Sequence, residues 1–164
     1  MGNSLYGEIL DLLENDAKIS VEDIALMTGA PAEQILQAIE KMEQERIIVK
    51  YAAIVNREKV VSEEAEALIE VKVVPKRGQG YDELAERIYG FSEVKSVYLM
   101  SGTYDLSVVV RAQSMKQISQ FVFEKLAVLE GVASTVTHFI MRKYKEQGVI
   151  LVTKEQEERL VITP

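Results

Sequence analysis

The sequence has no cysteine. Disulfides, thiolate zinc sites and cysteine nucleophiles are therefore excluded. It has one histidine, His138, on a segment with no carboxylate cluster of metal-ligand spacing, so no metal site is expected. No Ser, His and Asp set suggests a nucleophile with its base, and Ser101-Gly102 lacks the flanking glycine of a nucleophile elbow. The expectation is a protein that is not an enzyme and carries no cofactor. No apolar run approaches the roughly 20 residues that span a bilayer. Met1–Asn15 has neither a basic start nor a signal-type apolar core. A cytoplasmic chain without a membrane partner is expected.

Positive charge is also scarce, with 19 Lys and Arg against 26 Asp and Glu, a net of −7. Residues 1–50 hold four basic side chains (Lys18, Lys41, Arg46 and Lys50) against ten acidic ones, a net of −6. The remainder is close to balance. This distribution argues against a generic nucleic-acid binder, whose affinity rests on phosphate neutralisation.

What is present is ordinary globular material, 48% apolar and 27% charged over 164 residues, enough for one domain or two small ones. Leu5, Ile9, Leu12 and Leu13 recur at helical spacing and predict a helix ending near Asn15–Asp16. Ser20 and Asp23 resemble a capping box opening a short helix over Val21–Met27. Thr28-Gly29-Ala30-Pro31 breaks the chain. A third helix is expected over Pro31–Glu45, with Ile35, Ile39 and Met42 as its buried stripe and Ala32, Glu33, Gln34, Gln37, Ala38, Glu40 and Lys41 exposed. Ile47-Ile48-Val49 reads as a wing or connecting strand. Helix, short helix, glycine-containing turn and longer helix is the helix-turn-helix order, which a plain three-helix bundle shares.

Beyond a charged stretch, Arg57–Glu66, the apolar period changes from helical to two. Strands are expected over Ala67–Val74, Val94–Met100, Tyr104–Arg111 and Val132–Met141, with helices over Tyr81–Tyr89 and Ser114–Leu129. Ser101-Gly102-Thr103 makes a tight hairpin turn. Lys76-Arg77-Gly78-Gln79-Gly80 reads as a basic surface loop. The order is βαββαβ. The fold class is thus α+β: a winged helix-turn-helix over residues 1–50, a linker over 51–66, a ferredoxin-like, ACT-like regulatory domain over 67–145 and a tail over 146–164. The second and third strands are apolar on both faces, Tyr98 and Met100 opposing Val97 and Leu99, and Val109 opposing Leu106, Val108 and Val110. Helices cover one face only. A second copy of the same sheet is the simplest cover for the other, so a dimer is expected.

In this order the parts resemble the Lrp/AsnC family of transcription regulators, over about Tyr6 to Tyr144. Residues Ile9 to Ser20 are similar to the family's first helix and its ending, Asp23-Ile24-Ala25 to its second helix, and Ile47 to Ala53 to its exit strand. Val94-Lys95-Ser96-Val97, Gly102-Thr103-Tyr104-Asp105 and Ser134-Thr135-Val136-Thr137 resemble hallmarks of its regulatory domain. The resemblance implies binding of double-stranded DNA, homodimers that assemble further, and an amino acid or similar small effector held between dimers.

It points to Ser101, Gly102, Tyr104, Asp105, Ser134 and Thr135 as effector contacts. Asp105 can accept from an α-ammonium while free backbone amides hold a carboxylate. A hairpin turn with a self-bonded aspartate, and β-branched strand formers, are the plain alternatives. For DNA, Gln34 and Gln37 are base-reading candidates, because glutamine pairs bidentately with adenine. Lys41, Arg46 and Lys50 are phosphate candidates. The sequence departs from the family at Ala38, where an arginine is common, and Glu33, Glu40, Glu43 and Glu45 repel phosphate. An acidic headpiece that binds a protein partner is the competing reading.

Overall fold

The computed structural model describes residues 5–60, 64–74 and 80–152. They fall into two compact units, Met1–Val55 and Asn56–Pro164.

The first unit holds three helices: α1 (Leu5–Asn15), α2 (Val21–Thr28) and α3 (Ala32–Gln44). Ser20 caps α2: its Oγ accepts from the Asp23 N–H at 3.1 Å and donates to the Asp23 carboxylate at 2.6 Å, satisfying one orphan donor of the first turn. The helix stops at Gly29, whose φ of 73° is left-handed and whose N–H returns to the Ala25 carbonyl. Three helix faces then close on Ile9, Ile24, Ile35, Ala38 and Met42.

Two expectations are corrected here. Ala38 is not exposed but 6% accessible, and it joins Ile35 and Met42 in the core while Ile39 is only half-buried. Both stripes obey helical spacing. The one with the small residue wins, because it lets α3 lie closer to its neighbours. Ile47–Val49 forms no strand. Instead α3 ends in a Schellman-type closure in which the Ile47 and Ile48 N–H groups both donate to the Met42 carbonyl, at 2.8 and 3.0 Å. Arg46 takes the left-handed position, φ 57°, that glycine usually occupies.

The second unit is a four-stranded antiparallel sheet, β1 (Ala65–Val73), β2 (Val94–Leu99), β3 (Leu106–Ala112) and β4 (Val132–Phe139), in the order β2-β3-β1-β4. Helix α4 (Tyr81–Tyr89) and helix α5 (Met115–Phe121), the latter running into a π turn over Val122–Leu126, supply the crossovers. This is the ferredoxin-like βαββαβ arrangement. Alternate strand residues Ala67, Ile69, Val71, Leu106, Val108 and Val110 are buried with Leu84, Ile88, Ile118, Phe121 and Leu126 of the helices. Phe91 meets Phe121 edge-on, centroids 5.4 Å apart. The second long helix was expected to be regular to Leu129. The Ala127 N–H reaches back five residues to the Val122 carbonyl instead, a π-bulge that ends the α-helical run early.

The expected linker divides between the units. Tyr51 donates to Glu43 of α3 at 2.8 Å, whereas Asn56 donates to the Leu151 carbonyl at 2.6 Å and Glu58 accepts from Arg142 at 3.1 Å. The start of the expected tail is a small hairpin, β5 (Lys145–Glu146) with β6 (Val149–Ile150). Of the basic loop Lys76–Gly80, only Gly80 lies within the described residues.

At the start of β1, Glu66 accepts from Arg111 at 2.9 Å and Lys143 at 2.6 Å. Burial alone raises the Glu66 pKa, but the hydrogen bonds and charges of Lys143 and Arg111 outweigh it and hold the carboxyl below its ordinary value of 4.5. A carboxyl depressed in the folded state contributes stability that is present above its unfolded pKa and disappears as pH falls through its folded pKa. Chemical denaturation below pH 4.5 is therefore expected to show a steeper acid loss in the wild type than in Glu66→Gln. Equal slopes would remove this cluster from the account.

Candidate functional site

Strand register fixes which side chains share the helix-free face of the sheet, since directly paired residues point the same way. Lys72 pairs with Ser134, Glu70 with both Ser107 and Val136, Leu68 with both Val109 and His138, and Tyr98 with Ser107. Asp105 stands one residue before β3, beside Lys72, and its carbonyl accepts from the Met100 N–H at 2.8 Å. The end of the open face thus reads Met100, Asp105, Lys72, Ser134 across four strands. The rows behind it are Tyr98, Ser107, Glu70, Val136 and then Ser96, Val109, Leu68, His138.

Asp105 is firmly placed. Its carboxylate accepts from the Val73 N–H at 2.8 Å and from Lys72 Nζ at 3.1 Å, while its own N–H donates to the Val71 carbonyl. The Val73 hydrogen bond, helped by Lys72, lowers its pKa. The Val71 carbonyl already points to the β3 side, and by strand alternation the Val73 N–H does too, which brings it to Asp105; the register between β1 and β4 shifts at Lys72/Val73. The β2–β3 connection is wider than a tight turn, because Tyr104 and Asp105 precede the strand. Gly102 has no left-handed φ, and a Cβ there would meet nothing within 4 Å. Neither its own backbone nor crowding requires glycine, and the approach to this loop is open. Ser101 is exposed and Tyr104 half-buried.

Among the expected effector residues, Asp105 and Ser134 therefore share one row. Thr135, paired with Val71, points to the helix side. Lys72 joins this row, although its alternation with Ile69 and Val71 marks it in the sequence only as a solvent-side strand residue. His138 lies 3.1 Å from Glu70, and among the described residues no group of three or more His, Asp or Glu is placed to hold a metal.

On the first unit, Gln34, Gln37 and Lys41 are exposed on α3 at i, i+3 and i+7, one stripe of the helix. Glu33, Leu36, Glu40 and Glu43 follow the same spacing on the neighbouring stripe, Leu36 47% exposed. Most of these carboxylates lie one stripe away from the glutamines, but the two stripes touch: the Gln37 amide donates to Glu33 at 3.4 Å. Lys41 lies 3.8 Å from Glu45, both well exposed, a contact worth a few tenths of a kcal/mol that a phosphate would readily replace. Lys50 is exposed.

Residues 66–150 match the family model of the Lrp/AsnC ligand binding domain. The chain belongs to the Lrp/AsnC family. It is 48% identical to the uncharacterized HTH-type transcriptional regulator YugG of Bacillus subtilis (strain 168), over 96% of this chain and 95% of that one. It is 29% identical to the HTH-type transcriptional regulator FL11 of Pyrococcus furiosus, over 85% of this chain and 89% of that one. Its fold is shared with a Neisseria meningitidis transcriptional regulator solved as an L-methionine complex, at TM-score 0.70 and 20% identity, covering 89% of this chain and 94% of that one. The expected architecture, helix-turn-helix plus ferredoxin-like regulatory domain, is that of this Lrp/AsnC protein, and its class is transcription regulation.

Proposed function

We propose that this Lrp/AsnC regulator binds specific double-stranded DNA through α3 and changes that binding when an amino acid occupies the open end of the sheet. The observation that carries the DNA half is that Gln34, Gln37 and Lys41 line one exposed stripe of α3, with Gln37 and Lys41 held only by exposed contacts to Glu33 at 3.4 Å and Glu45 at 3.8 Å, which a nucleic-acid partner can replace. Gln34 and Gln37 read base edges, while Lys41, Arg46 and Lys50 contact phosphates. The effector half rests on Asp105 and Ser134 sharing one exposed row beside the open Gly102 loop, with Ser101 and Tyr104 alongside. The helix-free face carries Tyr98, Leu68, Val109 and Val136 without cover in one chain. A homodimer formed through this face, assembling further, buries them and sets the effector at an interface between copies. The protein works in the cytoplasm by binding and not by catalysis.

Fluorescence anisotropy with DNA from the gene's own upstream region tests the DNA half. Specific binding is expected, falling steeply as salt rises, with a log–log slope reduced by about one in Lys41→Ala. Absence of specific binding at every salt concentration would refute it and favour the acidic headpiece as a protein-binding surface.

A further inference from the structure

The proposed effector site as read from the sequence contains a carboxylate, Asp105, and hydroxyls, but no fixed positive charge. An amino acid carries two charges. We propose that Lys72 completes the site: a zwitterionic α-amino acid bridges Lys72 and Asp105, its carboxylate on the Lys72 ammonium and its α-ammonium on the Asp105 carboxylate.

This rests on the effector reading above and adds to it a residue and a ligand requirement. Lys72 Nζ lies 3.1 Å from one Asp105 oxygen and 3.3 Å from the other. A cation and a carboxylate, the two charges that complement a zwitterion, thus stand side by side at this end of the sheet. The two partners are held unequally. Asp105 has a side chain 17% exposed and is fixed by the Val73 N–H, whereas the Lys72 side chain is 44% exposed.

Lys72 can swing toward a ligand while Asp105 stays in place, its Oδ1 freed for an ammonium as Lys72 leaves. An ion pair this exposed is weak, so exchanging it for two charge-assisted bonds costs little. Ser134 lies directly across from Lys72 on β4, on the side of β1 away from Asp105, so a lysine that swings away from Asp105 moves toward its hydroxyl. The neighbouring acid on β1, Glu70, does not compete for the lysine because it faces His138 at 3.1 Å.

Calorimetric titration of the full chain with each of the twenty L-α-amino acids, and with the corresponding amino-acid amides, tests this. The best-binding amino acid is expected to lose about tenfold or more in affinity when its carboxylate becomes an amide. Lys72→Met should bind that amino acid as weakly as the wild type binds the amide, and should no longer distinguish the two. Lys72→Arg should restore the distinction. Thermal melts check that each variant is folded. A folded Lys72→Met that keeps both the affinity and the preference for the acid overturns the role of Lys72 and leaves the effector reading intact. A wild type that binds no amino acid overturns the effector reading itself.

Discussion

Ile69→Ala is expected to destabilise the sheet unit by about 2–5 kcal/mol, the usual cost of removing a fully buried branched side chain from a core that cannot collapse around the gap. Ile69 is 0% accessible and sits in the middle of β1, one of the two strands with partners on both sides. The informative control is its neighbour Leu68, which is half-buried and points to the opposite, helix-free face. Leu68→Ala should cost one isolated chain less than about 1 kcal/mol, but should weaken association if that face meets a second copy. Urea denaturation at several protein concentrations separates the two effects, since only the association term depends on concentration. Similar losses for both variants at high dilution would mean that the helix-free face is core within a single chain.

Ala38→Arg is the second large effect, and it runs against what family comparison suggests. Arginine is common at this point of the family's third helix, so introducing it looks like a way to strengthen DNA binding. In this chain Ala38 is 6% accessible and packs with Ile35 and Met42. The longer side chain must displace the α3 packing or carry its charge out past it, at a cost of about 1–3 kcal/mol. The first unit should melt earlier, with no gain in DNA affinity. Intact stability together with tighter DNA binding would show that α3 tolerates a basic residue there and that its buried stripe has been wrongly drawn.

The sheet unit was largely legible because strand periodicity leaves few choices. Ile69, Val71 and Val73 alternating with Glu70 and Lys72 determine both the strand and its buried face. The capping of α2 by Ser20 and its stop at Gly29 were likewise readable, because each needs particular atoms at a fixed offset. The buried stripe of α3 was not. Ile39 and Ala38 are adjacent apolar residues, and only the approach of neighbouring helices decides which one turns inward. The end of α3 misled for a related reason: Ile47-Ile48-Val49 has strand chemistry, but a left-handed Arg46 turns it back onto the helix, and no local pattern marks arginine for that role.

The site was half legible. Gly102, Tyr104, Asp105 and Ser134 stood out through the family resemblance. Lys72 did not, because its meaning depends on long-range register: it lies 33 residues from Asp105 and 62 from Ser134 in the chain and meets them only across three paired strands. The acidity of residues 1–50 posed the opposite difficulty. Counted along the sequence it weighs against DNA, whereas on α3 the acids fall on a stripe beside the glutamines. Register and helical phase, not composition, decide what these residues present to a partner.

If an amino acid held at the end of the sheet controls α3, DNA affinity must depend on that amino acid. This dependence is tested most directly by the same anisotropy titration, run with the upstream DNA at fixed salt in the absence and presence of a saturating amino acid identified by calorimetry. DNA affinity is expected to change by about 5–150-fold in either direction, the span of typical coupling energies, and the change is expected to disappear in Lys72→Met at the same amino-acid concentration. Superimposable binding curves with and without a bound amino acid would contradict it.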